Sequence, residues 1–210
     1  MSPNALLLAA AGKKGTLLIF DIKSGKVRHR LKGHRGSIWT IVFHPQGEWL
    51  ASAGDDKRIL FWSLKTGKKI MEWQAPDEVN ALAVSPDGRY FASGGKDKNV
   101  TLWEIKTGKK WHIFKGHTES ISIGGIAFHP TKYLLATGSF DDTARLWDIK
   151  TKKTLHVLRG HTDDVANVIF SPDGEHLGTC SDDKMIRLWD VHSGKMLHLL
   201  HGHHRKVLGL

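Results

Sequence analysis

One phrase returns along this chain: ILFWSLKTGKK, VTLWEIKTGKK, ARLWDIKTKK and IRLWDVHSGK. Its tryptophans are Trp62, Trp103, Trp147 and Trp189, and Phe20 in LLIFDIKSGK holds the same place, giving successive spacings of 42, 41, 44 and 42 residues. Five such units account for the 210-residue chain. Self-similarity at this period defines a stacked-repeat architecture, because a unit of that size cannot hide its apolar surface alone.

Within each unit the apolar residues alternate over short runs punctuated by Gly, Pro and Asp, the chemistry of strands and turns with no helical period. After Gly33-His34, SIWTIVF reads as a first strand, WLASAG as a second, RILFW as a third and KIMEWQ as a fourth, joined by HPQGE, DDK and KTGK. Four antiparallel strands make a small twisted sheet that is apolar on both faces. Radial stacking buries both faces and protects most edges, so the expected fold is all-β, a β-propeller of four-stranded antiparallel blades.

The residues that recur in register also carry a family resemblance. Gly-His pairs at 33 and 34, 116 and 117, 160 and 161, and 202 and 203, with Trp-Asp at 147 and 148 and at 189 and 190, resemble the signature dipeptides of the WD-repeat propellers. The resemblance covers essentially the whole chain. Departures fall on single positions: Ser63 and Glu104 follow Trp62 and Trp103, Gln74-Ala75 stands in a Gly-His place, and Phe20 replaces a tryptophan.

Each unit gathers the parts of a nucleophilic triad, a hydroxyl, an imidazole and a carboxylate. The sets are His34, Ser52 and Asp56 beside Trp62; His117, Thr137 and Asp141 beside Trp147; and His161, Thr179 and Asp183 beside Trp189. An active site needs one nucleophile in one pocket, whereas this set recurs unit after unit next to an indole with no role in acyl transfer. The resemblance implies hydrogen-bonded structural networks within the blades, and the expectation is no enzyme activity. The third unit has Ser93, Asp97 and Trp103 but Ala75 in the histidine place, so its network is expected to be incomplete. His201, His203 and His204 invite a metal reading, but the repeat already accounts for His203 as a Gly-His histidine; no metal and no cofactor is expected.

Function is therefore sought on surfaces. The family arrangement puts the His and tight-turn Asp loops on one face, the top, and the turns between third and fourth strands on the other. The top face presents Arg35, Ser37 and Trp39, then Asp77 and Asn80, then Glu119 and Ser122, then Phe140 and Asp142. Arg35, Trp39, Asn80 and Phe140 are the candidate binding residues, with Trp39 and Phe140 as anchors of the kind that dominate protein interfaces. Two extra residues in ESISIGGIAF add to this face. The bottom face gathers Lys65, Lys68, Lys69, Lys106, Lys109, Lys110, Lys152 and Lys153, within a chain of net charge +10. This reading favours a scaffold or assembly subunit for other proteins. The alternative is binding of nucleic acid or an anionic surface through the lysines, and few aromatics interleave the turns as stacking platforms.

Cys180 is the single cysteine, and no apolar run reaches membrane-spanning length. The expected compartment is a reducing cytoplasm, with the nucleus as its alternative. The chain is read as one domain, 1–210, with units at roughly 1–32 plus 205–210, 33–74, 75–115, 116–159 and 160–204. SPNALLLAAAG aligns with SPDGRYFASGG at 85–95, so the first unit lacks a first strand, and KVLGL at the other end supplies one. The expectation is a ring closed by pairing of that terminal strand with the N-terminal unit. Its alternative is an open arc completed by a partner or by a second copy in a strand-swapped homodimer.

Overall fold

A computed structural model describes residues 1–210, and nearly all of its regular structure is antiparallel sheet. Four sheets are four-stranded meanders. They comprise β4 to β7 (Ile38–Phe43, Trp49–Gly54, Arg58–Ser63, Lys69–Gln74) and β8 to β11 (Val79–Val84, Tyr90–Gly95, Val100–Glu104, Lys109–Phe114). Then come β12 to β15 (Ile121–Phe128, Leu134–Ser139, Ala144–Asp148, Lys153–Leu158) and β16 to β19 (Val165–Phe170, His176–Ser181, Ile186–Asp190, Met196–Leu200). The first sheet has three strands, β1 to β3 (Leu7–Ala11, Leu17–Asp21, Val27–Leu31), and one helical turn, Lys13–Gly15, links its first two.

Inner strands β1, β4, β8, β12 and β16 lie in contact one after the next, so the sheets follow each other as blades. The chain has four principal apolar clusters, and each lies between two consecutive sheets. Ile59, Phe61 and Trp49 meet Val79 and Phe91; Leu102 and Phe114 meet Ile121 and Trp147; Leu146 and Leu158 meet Val165 and Trp189. Leu17, Ile19 and Leu31 meet Ile38 and Trp62 in the same way. The core is thus made at junctions between repeats, as the two-faced apolar pattern requires.

Turn chemistry explains the shared Lys-Thr-Gly-Lys phrase. A side chain at the end of the third strand accepts the N–H three residues on, as Asp190 Oδ1 does from Ser193 at 2.7 Å, and a left-handed residue then closes the hairpin. Gly194 has φ +68°, while Lys152 adopts φ +62° in the one unit that lacks the glycine.

The ends differ from the expected closure. Residues 205–210 form no strand and make no ladder with β1, which remains the inner edge of a three-stranded sheet. Val207 instead donates its N–H to Ser181 O at 3.1 Å and is buried against the fifth sheet. The same bond joins earlier blades, since Ile38 donates to Gly12 O at 3.4 Å. The tail therefore takes the seat of the next inner strand on the preceding blade, where apolar contact is available, without a ladder to the N-terminal sheet.

Candidate interaction faces

The polar networks are built where the top loops meet the second and third strands of a blade. In the fourth sheet Trp147 Nε1 donates to Thr137 Oγ1 at 2.9 Å, Thr137 Oγ1 lies 2.8 Å from His117 Nε2, and His117 Nδ1 lies 2.8 Å from Asp141 Oδ2. An indole only donates and a carboxylate only accepts, so Asp141 accepts from Nδ1–H, and Nε2 of the neutral ring accepts from the threonine, which itself accepts from the indole. The histidine is then the neutral Nδ1–H tautomer donating to the carboxylate. His161, Thr179, Asp183 and Trp189 repeat this at 2.8 to 2.9 Å, and His34, Ser52, Asp56 and Trp62 at 2.8 to 3.0 Å. In the third sheet Trp103 still donates to Ser93, at 3.0 Å, but Asp97 has only the backbone N–H of Asn99 at its carboxylate.

These environments set the titrations. Burial holds His117 and His161 below the ordinary histidine value, outweighing the carboxylates beside them. For Asp183, burial pushes the pKa up, but hydrogen bonds from His161, the Met185 amide and Arg187 more than offset it and hold it at about 2. Asp97, lacking the histidine, is pushed up by burial. Ser52, Thr137 and Thr179 are each 0% exposed, so no acyl substrate reaches the hydroxyl that a triad would use.

On the top face the anchors stand out from the sheet. Trp39 is 40% exposed with its indole N–H donated to Asp55 Oδ1, and Phe140 is 43% exposed with its amide bonded to Ser120 O at 2.9 Å. Arg35 is exposed, and its backbone N–H reaches Asp56 Oδ2 at 2.9 Å. Asn80 differs: it is buried, and its Nδ2 donates to Ile121 O at 2.9 Å, joining the third and fourth sheets. A polar residue between apolar ones on a strand looked surface-facing, and only the neighbouring blade reveals its partner.

The sequence gives no sign of a top-face cleft of about 270 Å³ between the fourth and fifth sheets, bordered by Ser122, Phe140, Asp164 and Asp182. The Ser122 side chain is buried and its Oγ has no hydrogen-bond partner. Carboxylate oxygens of Asp142, Asp163 and Asp164 lie within 4.8 Å of one another beside this cleft.

On the opposite side Lys65, Lys68, Lys69, Lys106, Lys109, Lys110, Lys152 and Lys153 are all exposed. Lys69 Nζ pairs with Glu72 at 2.6 Å. Aromatics absent from the turns themselves come from neighbouring strands: Lys110 lies over Trp103 at 5.2 Å, Lys152 over Trp111 at 4.8 Å and Lys150 over Tyr133 at 4.7 Å. The structure thus interleaves lysines and aromatics more than the turn sequences indicate. His201, His203 and His204 are exposed at the chain's end, and no helix is long and apolar enough to cross a membrane.

Sheets of this topology, joined through inter-blade cores and pinned by a His–hydroxyl–Trp relay, define a propeller-type repeat protein. The model of the WD domain, G-beta repeat, matches residues 25–63, 67–104, 108–148 and 152–190, and the chain belongs to that family. The chain is 35% identical over 79 residues to eukaryotic translation initiation factor 3 subunit I of Scheffersomyces stipitis, covering 38% of this chain and 23% of that protein. It is 50% identical over 38 residues to the probable cytosolic iron-sulfur protein assembly protein Ciao1 of Drosophila mojavensis, 18% of this chain and 12% of that one. Small ribosomal subunit protein RACK1 of Drosophila melanogaster is 29% identical over 86 residues, 40% of this chain and 27% of the relative. The matched stretches thus span about a quarter or less of two relatives and 27% of the third.

Proposed function

We propose that the chain is a non-enzymatic platform whose top face binds other proteins, as a scaffold or assembly subunit. The carrying observation is the pair of large aromatics, Trp39 and Phe140, each about two-fifths exposed, with the Trp39 indole N–H held by Asp55. A ring held by its own hydrogen bond, as that of Trp39 is, loses little rotamer freedom on binding, which suits it to anchor an interface. The relatives' names, an initiation factor subunit, an assembly protein and a ribosomal subunit protein, fit a component that works with other macromolecules. The compartment that accords with a single buried cysteine is the cytoplasm. Affinity capture from the native source tests the reading: Trp39→Ala should lose partners that the unaltered chain retains, and an unchanged set of partners would count against the top face.

A second reading rests on the lysine–aromatic pairs of the opposite face, which fit an anionic partner such as nucleic acid. Retardation of RNA or DNA that weakens steeply with salt supports it, and no retardation at low salt removes it. The two terminal sheets leave apolar side chains in solvent, Leu8 at 46% and Leu200 at 50% exposed, which accords with an arc completed by a second copy or a partner. Molar mass in solution separates those alternatives from a monomer.

A further inference from the structure

We infer that the cleft between the fourth and fifth sheets receives the basic side chain of an extended peptide, and that Lys206 in this chain's own tail occupies its rim as a stand-in. The inference deepens the top-face reading and rests on it. Its ground is a conjunction of shape, charge and one orphaned hydroxyl.

The cleft owes its shape to a local irregularity. In β12 the pairing passes from Ile121 opposite Ser139 to Ile126 opposite Thr137, so the bulge holds two residues more than the one in β16, where Val165 faces Ser181 and Asn167 faces Cys180. Asn167 Nδ2 clasps the bulge by donating to Gly124 O at 3.2 Å, and Ile123 is left 49% exposed at the cleft. Ile123, Phe140 and Leu208 line it with apolar carbon, and Asp164 and Asp182 line it with carboxylates.

Charge here runs against the molecule. In a chain of net charge +10, Asp142, Asp163 and Asp164 lie with oxygens within 4.8 Å of one another, and no lysine, arginine or histidine forms an ion pair with any of them. Burial and the neighbouring carboxylates push Asp142 and Asp164 up. Ser122 supplies the independent observation, because its Oγ is the one buried hydroxyl without a partner and it lines this cleft. An unsatisfied buried hydroxyl beside carboxylates that form no ion pair is complementary to an N–H donor bearing positive charge.

The chain already places such a donor there. Lys206 Nζ pairs with Asp182 Oδ2 at the rim, two residues before Leu208, which forms part of the wall. The tail engages Asp182 and leaves the three-carboxylate group unpaired. A lysine or arginine stem would lie along Ile123 and Phe140 while its head reaches the acids. A bare divalent cation fits less well, since hard cations collect six or more oxygens and this cleft is walled in part by hydrocarbon.

The test uses the full chain and the peptide acetyl-Gly-Ala-Lys-Ala-Gly-amide, with its norleucine counterpart as control, read by amide NMR shifts of Ser122, Ile123 and Phe140. The lysine peptide should shift these amides saturably and the norleucine peptide should not. Lys206→Ala should tighten binding several-fold by removing the competitor, and the double variant Asp142→Asn/Asp164→Asn should weaken it by roughly tenfold while keeping its Tm. Absence of a saturable shift in both the unaltered chain and Lys206→Ala overturns the cleft. Unchanged affinity in Lys206→Ala overturns the stand-in role, and tighter binding of calcium ion than of peptide at the same amides reassigns the cleft to a metal. If Trp39→Ala loses captured proteins while the lysine peptide never binds, the top-face reading stands and this inference alone fails.

Discussion

Trp147 donates its indole N–H to Thr137 at 2.9 Å, at one end of a relay whose proton order is set from the other end by the carboxylate of Asp141. A carboxylate only accepts, so the neutral imidazole of His117 donates Nδ1–H to Asp141 and its Nε2 accepts the Thr137 hydroxyl, whose oxygen also receives the indole. The order hydroxyl, imidazole, carboxylate is that of a hydrolase, yet the hydroxyl faces an indole where a substrate would have to lie.

The relay makes a sharp stability prediction. Thr137→Val leaves the indole N–H and His117 Nε2 both buried and unpartnered, so it should destabilise the chain by about 2–4 kcal/mol, and Thr137→Ser by markedly less. Urea unfolding followed by tryptophan fluorescence measures both. Equal loss in the two variants would mean that the methyl group, and not the hydroxyl, matters at this site.

Acid should loosen the fold through its histidines. Burial holds His117, His129 and His161 below the ordinary 6.5, so between that value and their folded pKa values the unfolded chain binds more protons. Their stabilising contribution is complete above about 6.5 and declines as pH falls below it. A further decline is due below the ordinary 3.8 of aspartate as Asp183, held at about 2, is neutralised. The urea midpoint should be lower at pH 5.5 than at pH 7.5; a midpoint that rises on acidification contradicts the neutral-histidine assignment.

Equivalent leucines should differ by their place in the stack. Leu158 is 2% exposed because the fifth sheet covers it, whereas Leu200, in the same position of the last sheet, is 50% exposed. Leu158→Ala should cost about 2–4 kcal/mol and Leu200→Ala under about 1 kcal/mol in the same unfolding experiment. A comparable cost at Leu200 would show that something covers the last sheet in solution, and molar mass would then identify a second copy.

A tight turn also carries measurable strain. Lys184 follows Asp182-Asp183 with φ +71°, a conformation a β-branched residue resists. Lys184→Gly should be neutral to stabilising by up to about 1 kcal/mol, and Lys184→Val destabilising by more than that. Thermal melts of the pair check the order.

What could be read in the sequence was whatever the repeat writes several times over. Trp62, Trp103, Trp147 and Trp189 announce the register, and the hydroxyl and aspartate at fixed offsets, with a Gly-His histidine ahead of them, announce the relay, because all its members belong to one blade. What was hidden depends on adjacency between blades. Asn80 finds its acceptor at Ile121, one blade away, and its strand pattern gives no hint of that. The cleft draws Ser122 and Phe140 from one unit, Asp164 and Asp182 from the next and Leu208 from the tail, so no local spacing marks it. The tail's destination is hidden for a related reason: its resemblance to a first strand names a seat and not the neighbour beside it.

The bond from Val207 to Ser181 gives this molecule the character of a crystal face. The fifth sheet holds the residue that comes next in the stack although residues 205–210 have no ladder of their own. A protein built by such stacking is read outward from its interior layers, where each sheet is clamped from both sides. The second, third and fourth sheets, clamped in this way, are where order should persist longest on heating.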